Sequence, residues 1–161
     1  MRSVAYVETS VISFYYETRP NLEMAARRKW TRSWWDSAVQ RHDLVTGAAV
    51  IEELRNGDYP NRDECLALVA SLPLLAVEPA VIDIVDTYIH RHVMPADPAG
   101  DALHLALASF HRCDFLVTWN CKHLANANKF GHIRTVNALL GLYVPAMVTP
   151  LELSEEVNDG P

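Results

Sequence analysis

Five short β-type runs alternate with segments of helical periodicity, and this alternation confines the chain to a parallel α/β arrangement. The runs are Val4–Val7, Leu44–Thr46, Leu74–Val77, Phe115–Trp119 and a last piece at Ala146–Val148. Phe115-Leu116-Val117-Thr118-Trp119 is almost continuously apolar, as a strand covered on both faces must be. Between the runs, Leu22–Arg41 repeats Ala26, Trp30, Trp34 and Ala38 at about one helical turn. Ala48–Asn56 reads as a helix stopped by Gly57, and Asn61–Leu72 as one stopped by Pro73. After Pro79, the residues Val81, Ile84, Val85 and Tyr88 line one face of a further helix. Asp97 as N-cap and Pro98 at the first helical position open the clearest helix, predicted to run to His111-Arg112. A short helix is expected near Val136–Leu142. The fold class is therefore α/β, in three layers (α/β/α), with a central, mainly parallel sheet.

At 161 residues, without internal repeats, low-complexity tracts or a Gly/Ser linker, the chain suits one domain over residues 1–153. The polar, acidic tail 154–161 is expected to fray. Fourteen Lys and Arg against twenty Asp and Glu give a net charge of −6, which opposes charge-driven binding of nucleic acid. It does not oppose a nucleic-acid enzyme whose positive charge is supplied locally by metal ions. No apolar segment of signal-peptide length follows Met1, and no run is long enough to cross a bilayer. Cys65, Cys113 and Cys121 are odd in number and scattered, unlike a disulfide framework. A cytoplasmic protein with no membrane association is expected.

In an open parallel sheet, ligands bind beyond the carboxyl ends of the strands. Glu8 lies just past the first run and Asn120 just past the fourth; Glu53 is on the helix after the second. Asp101 falls in the first turn of the Pro98 helix, where Asp97 already serves as cap. Three carboxylates and an amide oxygen can thus meet at one end of the sheet. Like charges held together need a cation, and an oxygen-only set points to Mg²⁺ or Mn²⁺. Glu52 competes with Glu53, but Glu53 shares a helical face with Val50 and so points nearer the core.

These residues carry a resemblance. Tyr6-Val7-Glu8-Thr9-Ser10-Val11-Ile12-Ser13 resembles the opening strand and turn of PIN-domain proteins, with Glu8 where the family normally has Asp. Val50-Ile51-Glu52-Glu53-Leu54-Arg55-Asn56-Gly57 is similar to the second motif and selects Glu53. Asp101-Ala102-Leu103-His104-Leu105-Ala106-Leu107-Ala108 resembles the third. Leu116-Val117-Thr118-Trp119-Asn120-Cys121-Lys122-His123-Leu124 resembles the fourth, with Asn120 where many members carry Asp. Val148-Thr149-Pro150-Leu151-Glu152 is similar to the family's last strand and following Pro.

The resemblance implies a PIN-like, metal-dependent endoribonuclease, most often the toxin of a VapC-type toxin–antitoxin pair. It makes Glu8, Glu53, Asp101 and Asn120 the catalytic set, with Mg²⁺ or Mn²⁺ on Glu8, Glu53 and Asp101. Thr9, Ser10, His104 and Lys122 are the candidate substrate contacts. RNA as substrate, an antitoxin protein as partner and a homodimer are further expectations. The alternative is a catalytically impaired PIN-fold module that binds RNA or protein. A phosphatase forming an aspartyl-phosphate would need Asp-x-Asp after the first strand, where this chain has Glu8-Thr9-Ser10.

Lys122, His123, Lys129, His132 and Arg134 could form a basic rim beside the acidic site, or an ordinary solvated loop. Trp30 and Trp34 read as core or interface anchors, and Arg27-Arg28-Lys29 with Arg32 as the wet face of their helix. His111, Cys113, Cys121 and His123 look like a zinc set. The strand between the two pairs separates them by roughly 20 Å at about 3.3 Å per residue, too far for one ion.

Overall fold

A computed structural model describes residues 2–97 and 100–154. Its sheet has five strands, all parallel, in the order β3-β2-β1-β4-β5: β1 Ser3–Val7, β2 His42–Gly47, β3 Leu74–Leu75, β4 Phe115–Val117 and β5 Ala146–Val148. The strands connect through α1 Thr9–Tyr15, α2 Leu22–Arg41, α3 Ala48–Arg55, α4 Arg62–Ala70, α5 Pro79–His90, α6 Asp101–Phe110 and α7 Ala127–Leu139. The described chain closes with α8 Pro150–Ser154.

The strand order decides where a ligand can sit. From β1 the chain steps outward through β2 to β3, then crosses back to β4 and continues the other way to β5. Right-handed crossovers put α1–α4 on one face and α5–α7 on the other. Side-chain packing follows this division: α1, α3 and α4 pack together, and Tyr88 of α5 hydrogen-bonds Ser109 of α6 and Asn137 of α7. Connections from β1 and β4 depart in opposite directions, so a crevice opens between their carboxyl ends. Val7 pairs with Val117, and the Glu8 backbone N–H donates to Val117 O at 3.1 Å, which ends the two strands side by side.

Central strands are buried on both faces, with Ala5, Tyr6, Val7, Leu116 and Val117 fully enclosed. Helix α6 lies deepest: Ala102 and the run from His104 to Ser109 are buried, so it carries almost no solvent face. At the β2–α3 junction, a Cβ on Gly47 would come within 2.8 Å of Leu107 Cδ1 and 2.9 Å of the Tyr6 hydroxyl. Glycine lets α3 start this close to α6 without displacing either buried side chain.

Several boundaries differ from the sequence expectation. Thr9–Tyr15, read above as a turn, is a helix capped by the Glu8 side chain, with Val11 and Ile12 buried beneath it. Helix α7 begins at Ala127 rather than near Val136 and ends at Leu139. Asn126 caps it, and Ile133, Val136 and Asn137 anchor it in the core. Helix α6 opens at Asp101 with Gly100 as its cap position, not at Asp97, and stops at Phe110. Pro98 lies outside the described residues, as does the predicted frayed tail beyond Ser154. The third strand is shorter than Leu74–Val77, and α8 was not anticipated.

Candidate active site

Glu8 stands at the crevice between β1 and β4 and is 4% exposed. Its carboxylate accepts the Ser10 backbone N–H at 2.9 and 3.1 Å and the Thr118 hydroxyl at 3.2 Å. The Ser10 hydroxyl in turn accepts the Trp119 backbone N–H at 2.8 Å, tying α1 to the end of β4. Burial pushes the Glu8 pKa up, and the nearby Glu53 charge adds to this; His104 and the Ser10 N–H offset part of the rise.

His104 sits at the centre of the acidic residues. Its ring is 1% exposed, with Nδ1 2.8 Å from the Tyr6 hydroxyl and Nε2 2.7 Å from Glu53 Oε1. Burial alone would lower the His104 pKa, but the Glu53 hydrogen bond and the charges of Glu8, Glu53 and Asp101 raise it on balance. For Glu53 the penalty of burial is overcome by the same His104 hydrogen bond and charge, with a smaller contribution from the adjacent Thr9 hydroxyl. Its pKa falls. Glu52, the competing carboxylate, points outward and pairs with Arg55 at 3.0 Å.

These shifts predict a pH dependence of stability. Glu53 is lowered from 4.5, so its pairing stabilises the fold above that pH and is lost as pH falls through the folded value. His104 is raised from 6.5, so its contribution is complete below 6.5 and is lost as pH rises through the folded value. Glu8 is raised from 4.5, and keeping it ionised in the core costs stability increasingly above that pH. Metal-free protein should therefore melt highest in mildly acidic buffer and lower towards alkaline pH, and His104→Gln should lessen that decline. A Tm that stays flat from about pH 5 to about pH 9 would contradict the assignment.

Asp101, at the start of α6, accepts the Asn120 side-chain N–H at 2.9 Å. The Asn120 carbonyl oxygen faces the other way and accepts the backbone N–H groups of Lys122 and His123 at 3.2 and 3.1 Å. Asn120 thus holds Asp101 and shapes the following turn, and its oxygen does not face the carboxylates. A cleft of about 490 Å³ beside them is lined by Glu53, Asn56, Pro95, Asp97, Gly100, Asp101 and His123. Lys129 of α7 lies near enough for the Asp101 charge to oppose the lowering that burial imposes on its ammonium.

Glu8, Glu53, Asp101 and Asn120 therefore all lie at the carboxyl end of the sheet. Among the candidate substrate contacts, His104 faces the interior and cannot touch a ligand in the cleft. Ser10 spends both its N–H and its hydroxyl inside the protein, whereas Lys122 is exposed at the rim. Thr9 Oγ1 is buried beside Glu53 and completes no well-formed hydrogen bond. The sequence singles out Asp97 only as a helix cap, and Tyr6 not at all. A tyrosine inside a buried strand needs a partner for its hydroxyl, and that requirement was the available signal for Tyr6.

Three carboxylates form the donor set of a hard divalent cation, and in chemistry they fit Mg²⁺ or Mn²⁺. Mutual repulsion between Glu8 and Glu53 favours an added cation. Each carboxylate is nevertheless turned to a protein partner: Glu8 to Ser10 and Thr118, Glu53 to His104, Asp101 to Asn120. Among the described residues, no three His, Cys, Asp or Glu side chains close on one point as a metal's ligands. Loading a cation requires these side chains to shift toward a common point.

No protein-family model matches the sequence, and no curated protein matches it either. The fold does match a solved structure, described as FitAcB from Neisseria gonorrhoeae. The TM-score is 0.54 at 18% sequence identity, over 91% of this chain and 97% of the matched one. At this identity the likeness establishes architecture: the chain has a PIN-like α/β fold with an all-parallel central sheet.

Proposed function

We propose that the chain is a Mg²⁺- or Mn²⁺-dependent endoribonuclease and the toxin of a toxin–antitoxin pair. The observation that carries the proposal is the gathering of Glu8, Glu53 and Asp101 around His104 at the crevice between β1 and β4, within a PIN-like fold. Glu8, Glu53 and Asp101 would hold the cation. Bound there, it would supply Lewis acidity toward water and a phosphate oxygen. The protein's part is placement: Ser10 and Thr118 hold Glu8, His104 and Tyr6 orient Glu53, and Asn120 holds Asp101. The adjoining cleft gives a phosphodiester access to Glu53 and Asp101, with Lys129 beside the acidic groups.

The FitAcB likeness supports an antitoxin protein as partner, and RNA as substrate and a homodimer complete the proposal. Among the described residues, no helix is long and apolar enough to cross a membrane. The alternative, a PIN-fold module without catalysis, is favoured by one observation: the Asn120 oxygen is committed to backbone N–H groups and offers nothing to a cation.

Metal dependence separates the two. The nuclease should cleave single-stranded RNA with Mn²⁺, lose that activity in EDTA and regain it when Mn²⁺ is restored. It should also gain several degrees of Tm at saturating Mn²⁺, since binding to the folded state alone stabilises by roughly 2.7 kcal/mol at a hundredfold excess over Kd. EDTA-insensitive cleavage, or neither cleavage nor a Tm shift, would sink the nuclease proposal.

A further inference from the structure

We propose that the basic cleft between the Thr18–Pro20 segment and α2 carries the backbone of a single-stranded RNA toward Glu53. The proposal rests on the ribonuclease reading and names the surface by which the same site takes its substrate.

The cleft encloses about 560 Å³, and its charged lining is entirely cationic: Arg19, Arg28, Lys29 and Arg32. Thr18 and Arg19 also line a neighbouring pocket of about 350 Å³, which reaches Tyr16, Tyr59 and Glu53. Glu53 then borders the cleft that holds Asp101 and His123. The three depressions adjoin through these shared residues, and the proposed track runs along them in that order.

Charge changes sign along that path. Arg28, Lys29 and Arg32 line its start, with Arg19 at the junction with the middle pocket. In the middle, Arg19 is held by Glu17 through two hydrogen bonds of 2.8 Å. The far end carries Glu53, Asp97 and Asp101. A polyanion fits the first part, and only one that brings or meets a cation fits the last. A polynucleotide threaded toward a metal-dependent centre meets both conditions. An acidic peptide meets the first and is repelled at the second.

The cations are also suited to phosphate. Arg32 is fixed by its Nε–H to Tyr15 O at 2.7 Å and by stacking over the Tyr15 and Tyr16 rings. Arg28 and Lys29 are exposed and pair with no carboxylate among the described residues. In the middle pocket, Tyr59 commits its hydroxyl to Leu54 O, and its ring and that of Tyr16 form part of the wall. Aromatic faces beside a basic groove suit unpaired bases, and a pocket of this size admits no duplex.

Fluorescence anisotropy with a labelled 12-nucleotide RNA in EDTA tests the track without turnover. Arg28→Gln/Lys29→Gln should weaken binding about tenfold and reduce the slope of log Kd against log salt by about 1.4, at about 0.7 per phosphate contact on a single strand. Both side chains are exposed, so near-UV circular dichroism and Tm should match wild type. In Mn²⁺ the variant should show a raised KM and an unchanged kcat. Unchanged RNA affinity in the variant, or no RNA binding by wild type, overturns the track. Equal binding of a poly-glutamate peptide with the same sensitivity also overturns it, and reassigns the cleft to an acidic protein segment. RNA binding that fails in the double variant, without any Mn²⁺-dependent cleavage by wild type, upholds the track and rejects the nuclease reading.

Discussion

Asp101→Asn should lower Mn²⁺-dependent RNA cleavage by on the order of a hundredfold to a thousandfold in kcat/KM, the scale of losing one electrostatic group from a reaction centre. The fold should survive. An Asn at 101 keeps an oxygen to accept the Asn120 N–H that Asp101 accepts at 2.9 Å. It also removes one negative charge from the set around His104, where Glu8 already titrates high. Metal-free Tm should therefore hold or rise, while the Mn²⁺-induced increase in Tm shrinks. Glu52→Gln is the control: that carboxylate lies on the same helix as Glu53 but faces solvent beside Arg55, so activity should not change. Full activity in Asp101→Asn would show that the acidic end of the sheet is not the reaction centre.

The second large effect is on stability. Trp34 heads the fully buried side chains by size, with no exposed surface, and meets Trp35 edge-to-face at 6.1 Å between ring centroids. Trp34→Ala removes that volume from the layer between α2 and the sheet and should cost about 3–5 kcal/mol, measured by urea unfolding. Among the described residues the buried indole N–H of Trp34 has no hydrogen-bond partner, so it contributes desolvation without return. Trp34→Phe retains most of the packing and removes that N–H, so it should cost under about 2 kcal/mol. If Phe costs as much as Ala, the packing assigned to α2 is wrong.

How far these sites were legible differs from residue to residue. All five strands announce themselves as apolar runs; the central ones are buried on both faces, whereas Leu74 of the edge strand β3 is exposed. Helix α1 does not, since Thr-Ser-Val-Ile-Ser-Phe-Tyr is rich in β-branched and aromatic residues of middling helix propensity. It forms because Glu8 caps it and Val11 and Ile12 find the core, both tertiary effects. Helix α7 hides for a similar reason: Gly131 interrupts its middle, and its anchors are few.

At the site, Glu53 was separable from Glu52 because the facing of α3 could be read from Val50. His104 falls three residues after Asp101, on the same helical face, but α6 is buried nearly all round, so sharing a face says nothing about reaching solvent. The direction of the Asn120 amide depends on the turn at Lys122 and His123, which no spacing rule supplies. The basic cleft was invisible because Arg28 and Lys29 look like any wet helix face until the Thr18–Pro20 segment folds alongside them. A net charge of −6 is then compatible with RNA, since the opposing charges are segregated along one path.

The central claim is that Glu8, Glu53 and Asp101 hold a divalent cation, and anomalous diffraction from a crystal soaked in Mn²⁺ tests it most directly. The expected result is a peak bounded by those three carboxylates. Absence of a peak there at saturating Mn²⁺ would contradict the claim.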